Sequence, residues 1–289
     1  MSGRIAIVTG ASSGMGEALS RHLVSKGWKV GMADIQANEK LSKELGDSAA
    51  FFQTNVADYD SQAKTFQAVF DKWGRIDALC ANAGIVDKSS IYILGHRNSD
   101  TIPPKPNLLC TDVDYKGVVY GTQLAIHFMR KNKTPGGKIV ATVSAAALYP
   151  HETYPEYDGA KAAVLNFIHA TGRVLHIKDN VDINGVLPGI VHTSIIPQAM
   201  VDAVSAEAMT PVSNIISAYE KLLNDTTGIH GQGLECQAKE QYWVKFPEYA
   251  GGKISQRSCT VWDPLFKMYH GEDSDLPDAI KTGTQDVKF

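Results

Sequence analysis

Arg4-Ile-Ala-Ile-Val-Thr9, followed at once by Gly10-Ala11-Ser12-Ser13-Gly14-Met15-Gly16, is the stretch on which the fold turns. The first part is a short run rich in Ile and Val, which reads as a strand buried on both faces. The second is a glycine turn that opens into an amphipathic segment, Gly14 to Lys26, with helical spacing. Glycines there permit left-handed backbone and let the N–H groups at the positive end of a helix approach a pyrophosphate. The spacing is G-x-x-x-G-x-G rather than G-x-G-x-x-G, and taken alone the turn also fits a strand-to-helix connection without a ligand.

Outward from this unit the same rhythm repeats. Further strand candidates are Lys29 to Asp34, Ala49 to Thr54, Asp77 to Ala81, Lys138 to Val143, Val181 to Leu187 and a short Gly233 to Gln237. Between the third and fourth, Ala63, Phe66, Phe70 and Trp73 form one apolar helical face that Gly74 terminates. Helices also fit Asp112 to Lys131, Tyr157 to His176 and Val212 to Leu223. Strands alternating with helices predict an α/β fold: a single doubly wound parallel sheet of about seven strands with helices on both faces. Ile85 to Asn107 is polar and contains Pro103-Pro104-Lys105-Pro106, so an irregular surface segment is expected. The domain carrying the site is expected to span residues 1–245. A C-terminal extension, 246–289, would either wrap the surface or contact another subunit.

Composition narrows the function classes. With 28 Lys+Arg against 31 Asp+Glu in 289 residues, and no basic stripe, a nucleic-acid or anionic-membrane partner has little electrostatic support. No apolar run approaches the roughly 18 residues of a membrane span. The start reads as a strand rather than a signal peptide, so the mature chain is expected to begin where the sequence does. Cys80, Cys110, Cys236 and Cys259 are widely spaced without C-x-x-C, as in reduced cytosolic thiols, which predicts a cytoplasmic protein. His151-Glu152 lacks the second His of an H-E-x-x-H helix, and no metal is implied.

Two constellations carry chemistry. At the end of the second strand candidate, Asp34 lies 18 residues beyond Gly16, near the spacing of a carboxylate that accepts ribose hydroxyls. Such a carboxylate repels a 2′-phosphate, and neither Ser13 nor Ile35 supplies a compensating charge, so the cofactor expected is NAD rather than NADP. Asn55-Val56 and Asn82-Ala83-Gly84 follow the third and fourth strands, where small residues let a ligand approach. Farther on, Tyr157 and Lys161 share a face at the start of a helix. A phenol is a poor acid-base group near neutral pH, but an adjacent ammonium favours its phenolate. Ser144, 13 residues before Tyr157 and just after a strand, would hold the substrate oxygen. Tyr249 and Lys253 repeat the four-residue spacing, but through Ala250-Gly251-Gly252 and without an upstream hydroxyl.

These motifs, in this order and spacing over about residues 4 to 195, resemble the short-chain dehydrogenase/reductase family, whose fold is Rossmann-like. The resemblance implies Tyr157 as general acid/base, Ser144 as substrate-orienting group, and Lys161 as both tuner of Tyr157 and holder of the nicotinamide ribose. It implies cofactor contacts from Gly10, Ser12, Ser13, Gly14, Met15, Gly16, Asp34, Asn55, Val56, Asn82, Ala83, Gly84, Pro188, Gly189, Ile190, Val191 and Thr193. It further implies a homodimer or homotetramer built on the two long helices. Asp114 stands where the family usually has the Asn of a proton relay; Asn55 replaces an Asp, and Ala81 replaces an Asn. The substrate expected is a lipophilic or ring-bearing secondary alcohol or ketone, walled by Ala145 to Glu156 (Leu148, Tyr149, His151, Tyr154) and Thr193 to Met209. Met209-Thr210-Pro211 through Glu235 loosely resembles 15-hydroxyprostaglandin dehydrogenase relatives. Two alternatives stay open: an isomerising or cyclising biosynthetic member with Asp114 as acid or base, and a non-catalytic NAD-binding sensor.

Overall fold

The computed structural model describes residues 3–193 and 198–281. Its strands are β1 (Ile5–Thr9), β2 (Lys29–Asp34), β3 (Ala49–Gln53), β4 (Ala78–Ala81), β5 (Gly137–Thr142), β6 (Val181–Pro188), β7 (Gln232–Gln237) and β8 (Glu240–Trp243). They form one sheet in the order β3-β2-β1-β4-β5-β6-β7-β8. All neighbours pair in parallel except β8, which returns antiparallel on β7, with Leu234 opposite Trp243. The sheet thus has eight strands where the sequence predicts about seven. Strand order reverses between β1 and β4, which opens a crevice at the carboxyl ends of the strands.

The helices are α1 (Gly14–Ser25), α2 (Glu39–Leu45), α3 (Tyr59–Trp73), α4 (Leu109–Thr111), α5 (Gly117–Met129), α6 (Pro155–Asp179), α7 (Gln198–Ala203), α8 (Val212–Leu223), α9 (Lys253–Cys259) and α10 (Asp263–His270). Alternation along β1 divides the core. Ile5 and Ile7 face Phe66 and Val69 of α3, Phe128 of α5, and Val164 and Ile168 of α6. Ala6 and Val8 face Leu19 and Leu23 of α1 and Ile215, Tyr219 and Leu222 of α8. Each large apolar side chain buried this way contributes about 1.5–3 kcal/mol. Asp58 caps α3 by accepting the Asp60 and Ser61 N–H groups, and Gly74 (φ 74°) ends it in left-handed backbone.

Two helices depart from expectation. The segment expected to run unbroken from Asp112 starts at Leu109 and widens into a π turn at Asp112–Lys116 before α5. The helix expected at Tyr157 begins at Pro155, a residue suited to the first helical position because its missing N–H would be unpaired there anyway. The segment 85–107 is irregular apart from one 3-10 turn, Leu94–His96.

The extension folds back on its own chain. Arg173 and Lys178, on the distal half of α6, pair with Asp278 and with Glu272 and Asp275. Buried Asp263 accepts the Ser274 N–H, and Trp262 bridges to Ile280. The described part of the extension therefore lies against the body of its own chain. No described helix is long and apolar enough to cross a membrane.

Gly10 has φ +64°, and a Cβ there would lie 2.9 Å from the Ala83 Cα. Gly10→Ala should therefore cost about 1–3 kcal/mol of stability. Urea denaturation checks this, and an unchanged midpoint would mean that the turn yields without strain.

Candidate active site

The carboxyl ends of β1, β4 and β5 are joined by one hydrogen-bond network. Thr9 Oγ1 accepts the N–H groups of Asn82 (2.9 Å) and Ala83 (3.0 Å). Asn82 Nδ2 donates to Thr9 O at 3.1 Å, and its Oδ1 accepts from Thr142 Oγ1 at 3.0 Å. With the Thr142 proton used there, the buried Tyr219 hydroxyl donates to Thr142 at 2.6 Å. Asn82 therefore holds the strand ends together, and its side-chain groups are spent on that.

Above this network a crevice is lined by Met15, Asn82, Gly84, Thr142, Val143, Tyr157, Lys161, Pro188, Gly189, Val191 and Thr193. On one wall stands the glycine turn. A Cβ on Gly16 would sit 2.0 Å from Gly10 O, so only glycine lets α1 start this close to β1. A Cβ on Gly14 would point at Thr193, 3.5 Å from its Cγ2, filling the space between turn and crevice. Ser13 precedes α1 without making a side-chain capping bond, which leaves the first-turn N–H groups of the helix for a ligand anion. At the far end of the turn Asp34 accepts the Ser12 N–H at 2.9 Å and the Gln36 N–H at 3.1 Å. Those bonds fix the carboxylate at the end of β2. Asn55 spends its side-chain oxygen on the Ala57 N–H, and Val56 is buried against Gly117. Beyond β6, Gly189 N–H donates to Cys236 O, and Ile190 O accepts from Thr210. Small residues, open N–H groups at a helix start and a carboxylate acceptor at the end of β2 are the chemistry and shape that a dinucleotide requires.

Lys161 is buried and engaged on two sides. Its Nζ donates to Thr142 O at 2.8 Å and stands 3.0 Å from Asp114 Oδ2. Asp114 is fully buried, and its Oδ1 accepts the Ile85 N–H at 2.9 Å. The π turn carries Asp114 into this position. Burial pushes the Asp114 carboxyl up, with the Lys161 ammonium opposing the shift. Burial alone would lower Lys161, but Asp114 and Tyr157 outweigh it and hold the ammonium above its ordinary value. Tyr157 lies one turn away on α6, with Lys161 Nζ 5.6 Å from its ring centre. Ser144, two residues beyond β5 and just before the 3-10 turn Ala145–Ala147, accepts the Ala146 N–H at 3.1 Å, leaving its own proton to give.

Several supporting groups carry no sequence signal. Asp87, in the irregular segment, accepts the N–H groups of Tyr157 (2.8 Å) and Glu156 (3.1 Å), capping α6 directly beneath the tyrosine. Glu156 in turn accepts from Thr111. Glu235, buried on β7, takes a 3.3 Å hydrogen bond from the exposed Tyr149 hydroxyl.

Residues expected as substrate walls divide. Ala146, Ala147, Pro150, His151 and Glu152 line a separate cavity of about 410 Å³ with Tyr92, Pro155, Asp158, Gly159 and Ala162, not the crevice that holds Tyr157 and Lys161. Leu148 packs on the core, and Tyr154 meets the His151 ring edge-on. Of the 193–209 wall, residues 194–197 lie outside the described residues. Tyr249 and Lys253 straddle the start of α9, so that second match shares no helix face.

All four cysteines are free, and burial pushes the Cys80 and Cys110 thiols up and Cys236 up to about 12. His176, Asp182 and His230 come within 4.8 Å of one another at the opposite edge of the sheet, a cluster the sequence did not suggest. The Asp182 oxygens there are already taken by His176 and Lys138.

The family model for short chain dehydrogenase matches residues 4–202. Over 290 aligned residues the chain is 51% identical to the short-chain dehydrogenase/reductase prx6 of Penicillium rubens, covering 96% of this chain and 97% of that one. It is 29% identical to human 15-hydroxyprostaglandin dehydrogenase [NAD(+)] over 68% of this chain and 71% of that one. Among solved structures, 3-ketoacyl-(acyl-carrier-protein) reductase from Brucella melitensis, complexed with NADH, superposes with a TM-score of 0.71 at 22% identity, over 81% of this chain and 97% of that one. With glycine turn, strand-end carboxylate, Ser144, Tyr157 and Lys161 all at the carboxyl edge of one parallel sheet, the chain belongs to the short-chain dehydrogenase family and is an oxidoreductase that binds a nicotinamide cofactor.

Proposed function

We propose that this protein is a cytoplasmic NAD-dependent dehydrogenase of a lipophilic or ring-bearing secondary alcohol, able to run in reverse as a ketone reductase, and that it works as a homodimer or homotetramer through α5 and α6. The observation that carries the reading is the single crevice shared by Tyr157, Lys161, Gly84, Gly189 and Thr193.

The bound nicotinamide supplies the hydride acceptor or donor; the rest is done by this chain. Ser144 Oγ, its lone pair occupied by Ala146 N–H, donates to the substrate oxygen and holds the carbinol against Tyr157. Tyr157 takes the hydroxyl proton as its carbon loses hydride, or returns it in reduction. Lys161 has three donors, of which Thr142 O takes one and Asp114 faces another. The third is left for a ribose hydroxyl in the crevice. Both Asp114 oxygens are directed at Ile85 and Lys161, which gives no support to Asp114 acting directly on substrate.

Asp34 supports NAD over NADP, because a 2′-phosphate would meet a carboxylate already fixed by two N–H groups. The human relative is NAD(+)-dependent by name and acts on a hydroxyl, which agrees with this preference and with the alcohol class.

A panel of secondary alcohols and ketones, followed by NADH absorbance, tests the reaction. Tyr157→Phe should lose at least about 100-fold in kcat while still binding NADH. Full activity in that variant would exclude the assigned mechanism. Asp34→Arg should move the NADP/NAD ratio of kcat/KM upward by about 10-fold or more. An unchanged ratio would remove the role given to that carboxylate.

A further inference from the structure

Lys161 is the cation in the wall of the crevice, and it does not stand there alone. Asp114 is 0% exposed, lies 3.0 Å from Lys161 Nζ, and is brought in by the π turn Asp112–Lys116. Both groups are directly behind Gly84, whose Cβ, if it had one, would be 3.0 Å from Asp114 Oδ2 and 3.3 Å from Lys161 Nζ. Lys161 lines the crevice together with Gly84, and Asp114 stands behind them, outside the lining. Each charge sustains the other, since removing either leaves an uncompensated charge in a dry site.

The two redox forms of a nicotinamide differ by one positive charge on the ring. An uncompensated ammonium in the wall would penalise the oxidised ring and leave the neutral reduced ring unaffected. An ammonium cancelled by a carboxylate at 3.0 Å presents only a dipole, and the penalty falls. We propose that Asp114 is a positioning residue that sets the redox-form preference of the site: by neutralising Lys161 it lowers the penalty on binding the oxidised cofactor relative to the reduced one. This inference rests on the nicotinamide reading of the crevice.

Apart from Tyr157, whose ring lies 5.6 Å from Lys161 Nζ, the ionisable groups near the pair are bonded elsewhere. Glu156 accepts from Thr111, Asp87 caps α6, and the Cys110 thiol is pushed up by burial and donates to Ile85 O. They are unchanged in an Asp114 variant, so a change there isolates this one carboxylate.

The test uses the full chain without substrate and measures dissociation constants for NADH by its fluorescence and for NAD+ by calorimetry. In Asp114→Asn the ratio Kd(NAD+)/Kd(NADH) should rise about tenfold over wild type. Adding Lys161→Met to that variant should return the ratio toward wild type, because both charges are then gone. Asp114→Ser serves as a second neutral variant if the Asn protein does not fold by circular dichroism. A ratio unchanged in the folded variant, even with both forms binding more weakly, would show a purely structural Asp114 and overturn the proposal. If wild type binds neither form, the cofactor reading itself fails and takes the proposal with it, an outcome distinct from an unchanged ratio.

Discussion

The constraint on which the site depends is the burial of one ammonium and one carboxylate side by side. Removing either charge from water costs several kcal/mol, recovered only when the geometry is good and the remaining donors and acceptors are met. Here Lys161 Nζ has Thr142 O and Asp114, and Asp114 has the Ile85 N–H. Those partners come from β5, from the π turn before α5 and from the segment after β4. The pair thus fastens three separate pieces of chain to α6, and the phenol of Tyr157 inherits its position from that attachment.

A second layer makes the attachment rigid. Thr9, Asn82, Thr142 and Tyr219 form a chain of hydrogen bonds across β1, β4, β5 and α8. Burial pushes the Tyr219 phenol far up, which keeps it neutral and available as a donor. Thr142 joins the layers, since its side chain belongs to the lower network and its carbonyl receives Lys161. A displacement of β5 relative to β4 would disturb both networks, which is how packing far below the crevice constrains its chemistry.

Much of this was legible because parallel strands buried on both faces read as plain apolar runs, and Arg4 to Thr9 with its glycine turn is such a run. What escaped did so for identifiable reasons. β8 (Glu-Gln-Tyr-Trp) is an exposed edge strand with no apolar alternation to betray it. α2 buries only Leu41, too little for a periodic signal. A π turn inserts one residue into a helix without altering its composition, so periodicity puts Asp114 on a helix but not on a face. Asp87 lies in a polar stretch that reads as loop, and its role as the cap beneath Tyr157 follows from tertiary proximity across 70 residues. Of the wall expected over Ala145 to Glu156, residues Ala146, Ala147, Pro150, His151 and Glu152 face another cavity, because the 3-10 turn Ala145–Ala147 redirects the chain after Ser144.

Asp34, at the end of β2, and Asp114, behind Gly84 and Lys161, obey the same logic. A carboxylate adds little to the affinity of a ligand that is already anionic, so its use there is discriminatory, and discrimination works through what is repelled as much as what is held. In the proposed reading Asp34, fixed by the Ser12 and Gln36 N–H groups, disfavours an extra phosphate at the adenosine end. Asp114, fixed by Ile85 and Lys161, removes a repulsion at the nicotinamide end. Both need rigid holding, since a mobile carboxylate would turn toward solvent and lose its effect in high dielectric. That requirement explains why each is bonded to backbone N–H groups instead of relying on side-chain partners alone.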